Sequence, residues 1–146
     1  MSSQVANFPT ALTLNVFTRP GYLFHGWNTA ANDSGIAYAD GVIYSFTADI
    51  TLYAQWTALP NHTVTFNSNG GTGSMSNQVA NSPTALTVNS FTRSGYTFHG
   101  WNTAANGLGY AYADGAICPF TSDITLYAQW TAQTTVFTLY IPIIYR

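Results

Sequence analysis

Alternation of apolar and polar side chains is clearest over Ile124-Thr-Leu-Tyr-Ala-Gln-Trp130, where Ile124, Leu126, Ala128 and Trp130 fall on one face of an extended segment. Thr63 to Asn67 alternates in the same way, with Val64 and Phe66 on one side and Thr63 and Thr65 on the other. Asn69-Gly70-Gly71 follows it with the residues a positive-φ turn requires. Leu86 and Val88 flank Thr87 in a short strand after Pro83, and Ser94-Gly95 marks a turn before Tyr96-Thr-Phe-His-Gly-Trp101. Strict alternation in that third strand would set Phe98 and Trp101 on opposite faces. A bulge at Gly100 brings both rings to the same side, because an extra residue in one strand resets its phase. Tyr110 to Tyr112 and Ile117 to Phe120 read as short extended pieces around the turn dipeptide Asp114-Gly115. Asn102 to Gly109 is loop, and Thr103-Ala-Ala105 is the one helix-like stretch, no more than a turn.

This set of elements is written twice. Gln4-Val-Ala-Asn7 returns as Gln78-Val-Ala-Asn81, and the alignment runs without a gap to Thr57-Ala58 against Thr131-Ala132; 43 of these 55 positions are identical. The predicted organisation is a first unit at 1–58, a linker at 59–62, a second unit at 63–132 and an unmatched β-prone tail at 133–146. Met1 falls opposite Met75, so the first unit is expected to lack the opening strand that Thr63 to Asn67 gives the second. Two readings follow: the chain is cut from a longer repeat protein, or Val136 to Tyr140 supplies the missing strand. Each unit is about 65 to 75 residues, near the lower limit for folding without disulfide or metal. Phe98, Trp101, Phe120, Leu126 and Trp130, with Phe24, Trp27 and Trp56 in the first copy, are the expected core. A buried aromatic contributes about 1.5–3 kcal/mol, so loss of Trp130 alone is expected to unfold a unit.

Composition sharpens the β assignment. Hydrophobic residues make up 47% of the 146 and aromatics 16%, so the chain is not compositionally disordered, yet only 5% are charged. Lys and Glu are absent, which removes the best polar helix formers and leaves Thr, Ser, Asn and Gln to face water. A net charge of -2 excludes a basic nucleic-acid surface and a polybasic membrane patch. Val136 to Tyr145 is too short to span a bilayer, and the N-terminus lacks the basic and apolar regions of a signal peptide. The single Cys118 excludes an internal disulfide.

Gly-Tyr-x-Phe-x-Gly-Trp at 21–27 and 95–101, Leu-Tyr-Ala-Gln-Trp at 52–56 and 126–130, and Val64-Thr-Phe-Asn-Ser-Asn-Gly-Gly71 together resemble the Listeria–Bacteroides repeat, the B-repeat of internalin-type bacterial surface proteins. The resemblance implies a mainly β or small α+β fold: two tandem β-grasp-like units with short mixed sheets and little or no helix. It also implies a non-enzymatic module of the bacterial cell envelope or exterior, acting as spacer or adhesion element of a larger secreted or wall-attached protein. The implied partners are neighbouring repeats of the same parent protein and a host-surface protein or glycan.

Candidate chemistry is sparse. His25 and His99 sit on strands, Asp40 and Asp114 precede glycines in turns, and Asp49 and Asp123 stand before the last strand, where Asp closes turns through its own backbone. None of these makes the converging nucleophile, base and orienting acid of a hydrolase, so no catalytic residue is assigned. Asn32-Asp-Ser-Gly35 lacks the acidic spacing of a calcium loop, and its counterpart Asn106-Gly-Leu-Gly109 has lost the carboxylate, so no metal or cofactor is expected. Cys118 has no ligand partner at metal spacing and reads as a small core or surface residue. Besides the spacer reading, exposed tyrosines offer a glycan- or protein-binding face: Tyr53 and Tyr127, opposite the apolar stripe of the last strand, with Tyr38 and Tyr112. The alternative role for these rings is cross-strand bracing of the sheet. A third reading is a nonfunctional gene fragment.

Overall fold

Residues rich in Thr, Val, Ile and Tyr, with no Lys or Glu between them, form only extended structure: the computed structural model describes residues 2–134, and among them there is no helix. The described chain divides into two compact units, one made of the residues up to Asn61 with Ala80–Ser82, the other of His62–Val79 and the residues from Pro83 onward. The predicted tail strand, Val136 to Tyr140, lies outside the described residues.

The first unit carries β1 (Thr10–Ala11), β2 (Tyr22–Asn28), β3 (Ala37–Tyr38), β4 (Ile43–Tyr44) and β5 (Tyr53–Ala58). The second carries β6 (His62–Asn67), β7 (Gln78–Ala80, of which Ala80 is grouped with the first unit), β8 (Thr84–Ala85), β9 (Tyr96–Asn102), β10 (Ala111–Tyr112), β11 (Ile117–Cys118) and β12 (Ile124–Ala132). In the second unit the sheet order is β10-β9-β12-β6-β7, and β8 pairs with β11 in a separate ribbon. The sheet is mixed: β12 runs antiparallel to β9 and parallel to β6, with Ile124 opposite Val64 and Tyr127 opposite Asn67. Asn69 and Gly70, both at positive φ, turn the chain out of β6 through a bond from Gly71 N–H to Ser68 O.

Where β9 meets β12 the register shifts, so that Phe98 opposes Trp130, Gly100 opposes Gln129, and His99 is the extra residue. That bulge sits at the predicted glycine and puts Phe98 and Trp101 in edge-to-face contact, 5.1 Å between ring centroids. The interior of the second unit is Trp101, Leu126, Ala128 and Phe120 joined by Val64, Phe66, Leu86, Phe91 and Cys118. Phe98 and Trp130 are half-buried, at the margin of the core. The second strand departs from expectation: β8 comes before Leu86, which is buried with its N–H on Ala116 O, while Val88 points to water. One contact on a neighbouring ribbon outweighs local alternation there.

The first unit repeats this plan with two strands fewer, since neither β6 nor β7 has a counterpart among its described residues. Its sheet is β3-β2-β5, with β1 and β4 as the ribbon, and the same bulge falls at Gly26. No strand of the described residues lies where β6 lies in the second unit. The last strand is shorter in consequence: β12 begins at Ile124, whereas β5 begins at Tyr53, and Ile50 to Leu52 are not in strand. Among the described residues of this unit Trp27 is the one large apolar side chain that remains buried; Phe17 is 43% exposed where its counterpart Phe91 is 6%. Phe24 and Trp56 are half-buried and touch edge-on at 5.5 Å.

Candidate functional site

The chemistry-bearing side chains are tied into the scaffold rather than gathered around a cleft. Asp114 Oδ1 accepts the indole N–H of Trp101 at 3.3 Å and the backbone N–H of Asn89 at 2.9 Å. Asp40 does the same for Trp27, at 3.0 Å, and for Asn15. The Asp-Gly dipeptides are turns as predicted, with Gly41 and Gly115 at positive φ, but their carboxylates have a second task that the dipeptide does not reveal. Each satisfies the one polar group of a buried tryptophan, which would otherwise cost about 1–3 kcal/mol as an unpaired donor.

Asn28 and Asn102 are buried polar residues, and each organises the loop that follows it. Asn102 Oδ1 accepts from Ala104 N–H and Gly109 N–H, and its Nδ2 donates to the carbonyls of Gly107 and Gly109. Asn28 makes the matching bonds to Ala30 and Gly35, but its Nδ2 donates to Asp33 Oδ1 at 2.9 Å. The first copy has a carboxylate at this point and the second a carbonyl, and both positions need a left-handed backbone, φ 62° at Asp33 and 77° at Gly107. Asp33 is therefore an acceptor for an amide.

Asp123 corrects the expectation that it closes a turn on its own backbone: Oδ1 accepts the backbone N–H of Thr63 at 2.8 Å and lies 3.5 Å from His62 Nδ1. It fixes the start of β6, sixty positions away in the chain. A shallow open groove lined by Thr63, Thr65, Asp123, Ile124 and Thr125 runs beside it. His25 and His99 are exposed on the bulges, and no hydrogen bond ties either to an acid or a hydroxyl among the described residues. Among those residues no three of His, Cys, Asp and Glu come together as a metal cluster.

The tyrosines divide into two kinds. Tyr38 packs edge-on against Tyr44 at 5.9 Å, and Tyr112 against Tyr110 at 4.9 Å. Tyr22 and Tyr96 lie under the guanidinium groups of Arg19 and Arg93, at 3.7 and 3.9 Å. Tyr53, 44% exposed, and the half-buried Tyr127 have no ring partner among the described residues. No two of these rings form a coplanar pair facing solvent, the arrangement that stacks on a sugar face. Cys118 is buried against the Tyr112 hydroxyl, while Tyr44 at the same place in the first copy packs edge-on against Phe46 and donates its hydroxyl to Ala48 O.

Burial, then the neighbouring Cys118 thiol and its hydrogen bond, and then Tyr110, push the Tyr112 phenol above its ordinary pKa of 10.0. A group raised in the folded state contributes stability that is complete below its unfolded pKa and is lost as pH rises through the folded one. The second unit is thus expected to lose stability above about pH 10, and to lose less of it in Tyr112→Phe. Urea midpoints at pH 8 and pH 11 check this; equal losses in both proteins would contradict it.

A sheet built twice from one sequence, with its acids and amides engaged in holding strands and loops, defines a tandem structural repeat. The chain belongs to the Listeria-Bacteroides repeat domain family, whose profile matches residues 1–55 and again 62–129. Among curated proteins it is similar to one named "Putative Gly-rich membrane protein" from Evansella cellulosilytica, 38% identical over 127 residues, covering 77% of this chain. A second protein of that organism, "Putative membrane protein", is 34% identical over 91 residues, covering 58% of the chain. The chain spans 14% of the length of each of these relatives. No solved structure matches it. No helix among the described residues is long and apolar enough to cross a membrane.

Proposed function

We propose that this chain is a non-enzymatic repeat module of the bacterial cell envelope, serving as a spacer or adhesion element of a larger secreted or wall-attached protein. The observation that carries this reading is the use of the acids. Asp33, Asp40, Asp114 and Asp123 are all acceptors that hold an amide, an indole or a strand end, which among the described residues leaves Asp49 alone outside the scaffold. Repeats earn their length by stacking in number, and a surface of Thr, Ser, Asn and Gln stays wetted without attracting charged partners. The family and the names given to the two relatives agree with an envelope setting.

Antibodies against the chain are expected to label intact, unpermeabilised cells of the source organism, and brief protease treatment of those cells should remove the label. Label confined to lysates would overturn the proposal. Glycan binding through Tyr53, Tyr127, Tyr38 and Tyr112 is the second reading, favoured only by the exposure of Tyr53. A glycan array should be silent; a hit lost in Tyr53→Ala with Tyr127→Ala would replace the spacer role with a binding one.

A further inference from the structure

The two units are close to identical in sequence, so each contact present in one and missing in the other has a traceable cause. Three such contacts converge on one edge of the first unit. In the second unit β6 lies along the first half of β12, Asp123 takes the N–H of Thr63, and the indole N–H of Trp130 donates to Ser68 O at 2.9 Å. In the first unit the counterparts are Ile50 to Tyr53, Asp49 and Trp56. Ile50 to Leu52 are not in strand, and among the described residues neither Asp49 nor the Trp56 N–H has a hydrogen-bond partner. Phe66, which sits 4.9 Å from Trp101 and closes the core over it, has no equivalent against Trp27 among the described residues. Ile50 is 37% exposed, and Phe46 and Leu52, whose counterparts Phe120 and Leu126 are buried, are only half-buried.

We propose that the edge of β5 left unpaired among the described residues is a strand-acceptor site, and that its occupant is an extended segment of the Thr-Val-Thr-Phe-Asn kind, entering parallel to residues 50–53 from outside the unit. The backbone of Ile50 to Tyr53 would supply ladder bonds, Asp49 would receive the first N–H of the incoming strand, and Val and Phe two residues apart would fill the space beside Leu52 and Trp27. Addition of a strand to an exposed edge takes affinity from main-chain bonds and selectivity from alternate side chains, and this edge provides both. The occupant's chemistry is read from the second unit itself, where β6 meets the same neighbours in a known register. The inference stands apart from the envelope reading, since an edge is open or filled wherever the chain resides.

The test uses the full chain labelled with nitrogen-15 and a synthetic peptide of residues 60–72, Pro-Asn-His-Thr-Val-Thr-Phe-Asn-Ser-Asn-Gly-Gly-Thr. The peptide contains no tryptophan, so the four indole N–H signals report on the protein alone. The expected result is a saturable shift of the Trp56 signal as its N–H gains an acceptor, with the Trp130 signal unmoved. A nitroxide at the peptide N-terminus should broaden the amide of Ile50 more than that of Ala58, as a parallel strand requires. A peptide carrying Ser for Phe66 should bind about tenfold to a hundredfold more weakly, the loss due to one buried ring. A second protein, with residues 62–74 fused ahead of Met1, should fill the edge internally and no longer respond. The proposal is overturned by no saturable shift up to about 1 mM peptide, by equal binding of the Ser peptide, or by movement of Trp130 in place of Trp56. It is overturned also if a chain ending at 134 binds while the full chain does not, because the chain's own tail then occupies the edge.

Discussion

Replacement of Trp101 by alanine is expected to unfold the second unit. The side chain is 1% exposed, touches Phe66, Phe91 and Phe98 ring to ring at 4.9 to 6.1 Å, and is held at its one polar atom by Asp114. Removing a buried Trp costs about 3–5 kcal/mol, the transfer term plus the cavity that rigid neighbours cannot fill. A unit of about 70 residues has some 3.5–10 kcal/mol of stability, at about 0.05–0.15 kcal/mol per residue. The loss is therefore a large part of the total. The Trp130 indole resonance should collapse to its unfolded position at 25 °C, and the thermal transition of the second unit should vanish or fall by about 12–40 °C, at about 4–8 °C per kcal/mol. Trp27→Ala should cost less, because Trp27 has an exposed Phe17 on one side and, among the described residues, no counterpart of Phe66 on another. A folded Trp130 signal in Trp101→Ala, with a melting point within a few degrees of the parent, would contradict this.

The weight thus moves from Trp130, the residue that the sequence singles out, to Trp101. Both end an aromatic motif, and alternation ranks them alike; only the bulge and the cover from β6 decide which is deeper. The strands themselves were readable because β-branched and aromatic residues alternate over β6, β9 and β12 and no good polar helix former interrupts them. The bulge was readable because two large rings three residues apart cannot share a face without one. The hydrogen-bond roles were not. Asp114 meets Trp101 thirteen positions away and Asp123 meets Thr63 sixty away, so neither partner is in the window where an Asp before Gly or before a strand speaks for itself. Asn102 reads as a loop residue, and only the backbone path of residues 103–109 shows why it must be buried. Cys118 reads from the sequence as a small core or surface residue, and the fold decides for the core, where it lies against the Tyr112 hydroxyl.

Gly100→Val is the second substitution expected to abolish a folded unit, and it works through the backbone rather than through a cavity. Gly100 has φ 135°, far outside the regions open to a residue with a Cβ, and a Cβ there would lie 2.9 Å from the carbonyl oxygen of Tyr112. The strain alone costs about 1–3 kcal/mol. The close oxygen belongs to β10, which pairs Tyr112 with Trp101, so it cannot retreat without breaking that ladder and loosening the core tryptophan. Relief by returning to ordinary β geometry is also closed, because straightening the bulge would turn Phe98 or Trp101 outward. Gly95→Ala separates this effect from a generic glycine penalty. Gly95 has φ 77° with nothing within 4 Å of a built Cβ, so its cost is the left-handed penalty alone, about 1–2 kcal/mol. Urea unfolding followed by the Trp130 indole signal should show Gly95→Ala as a shifted but cooperative transition and Gly100→Val as none. Comparable midpoints for the two variants would mean that the bulge relaxes without cost, and that the packing of Phe98 against Trp101 does not depend on it.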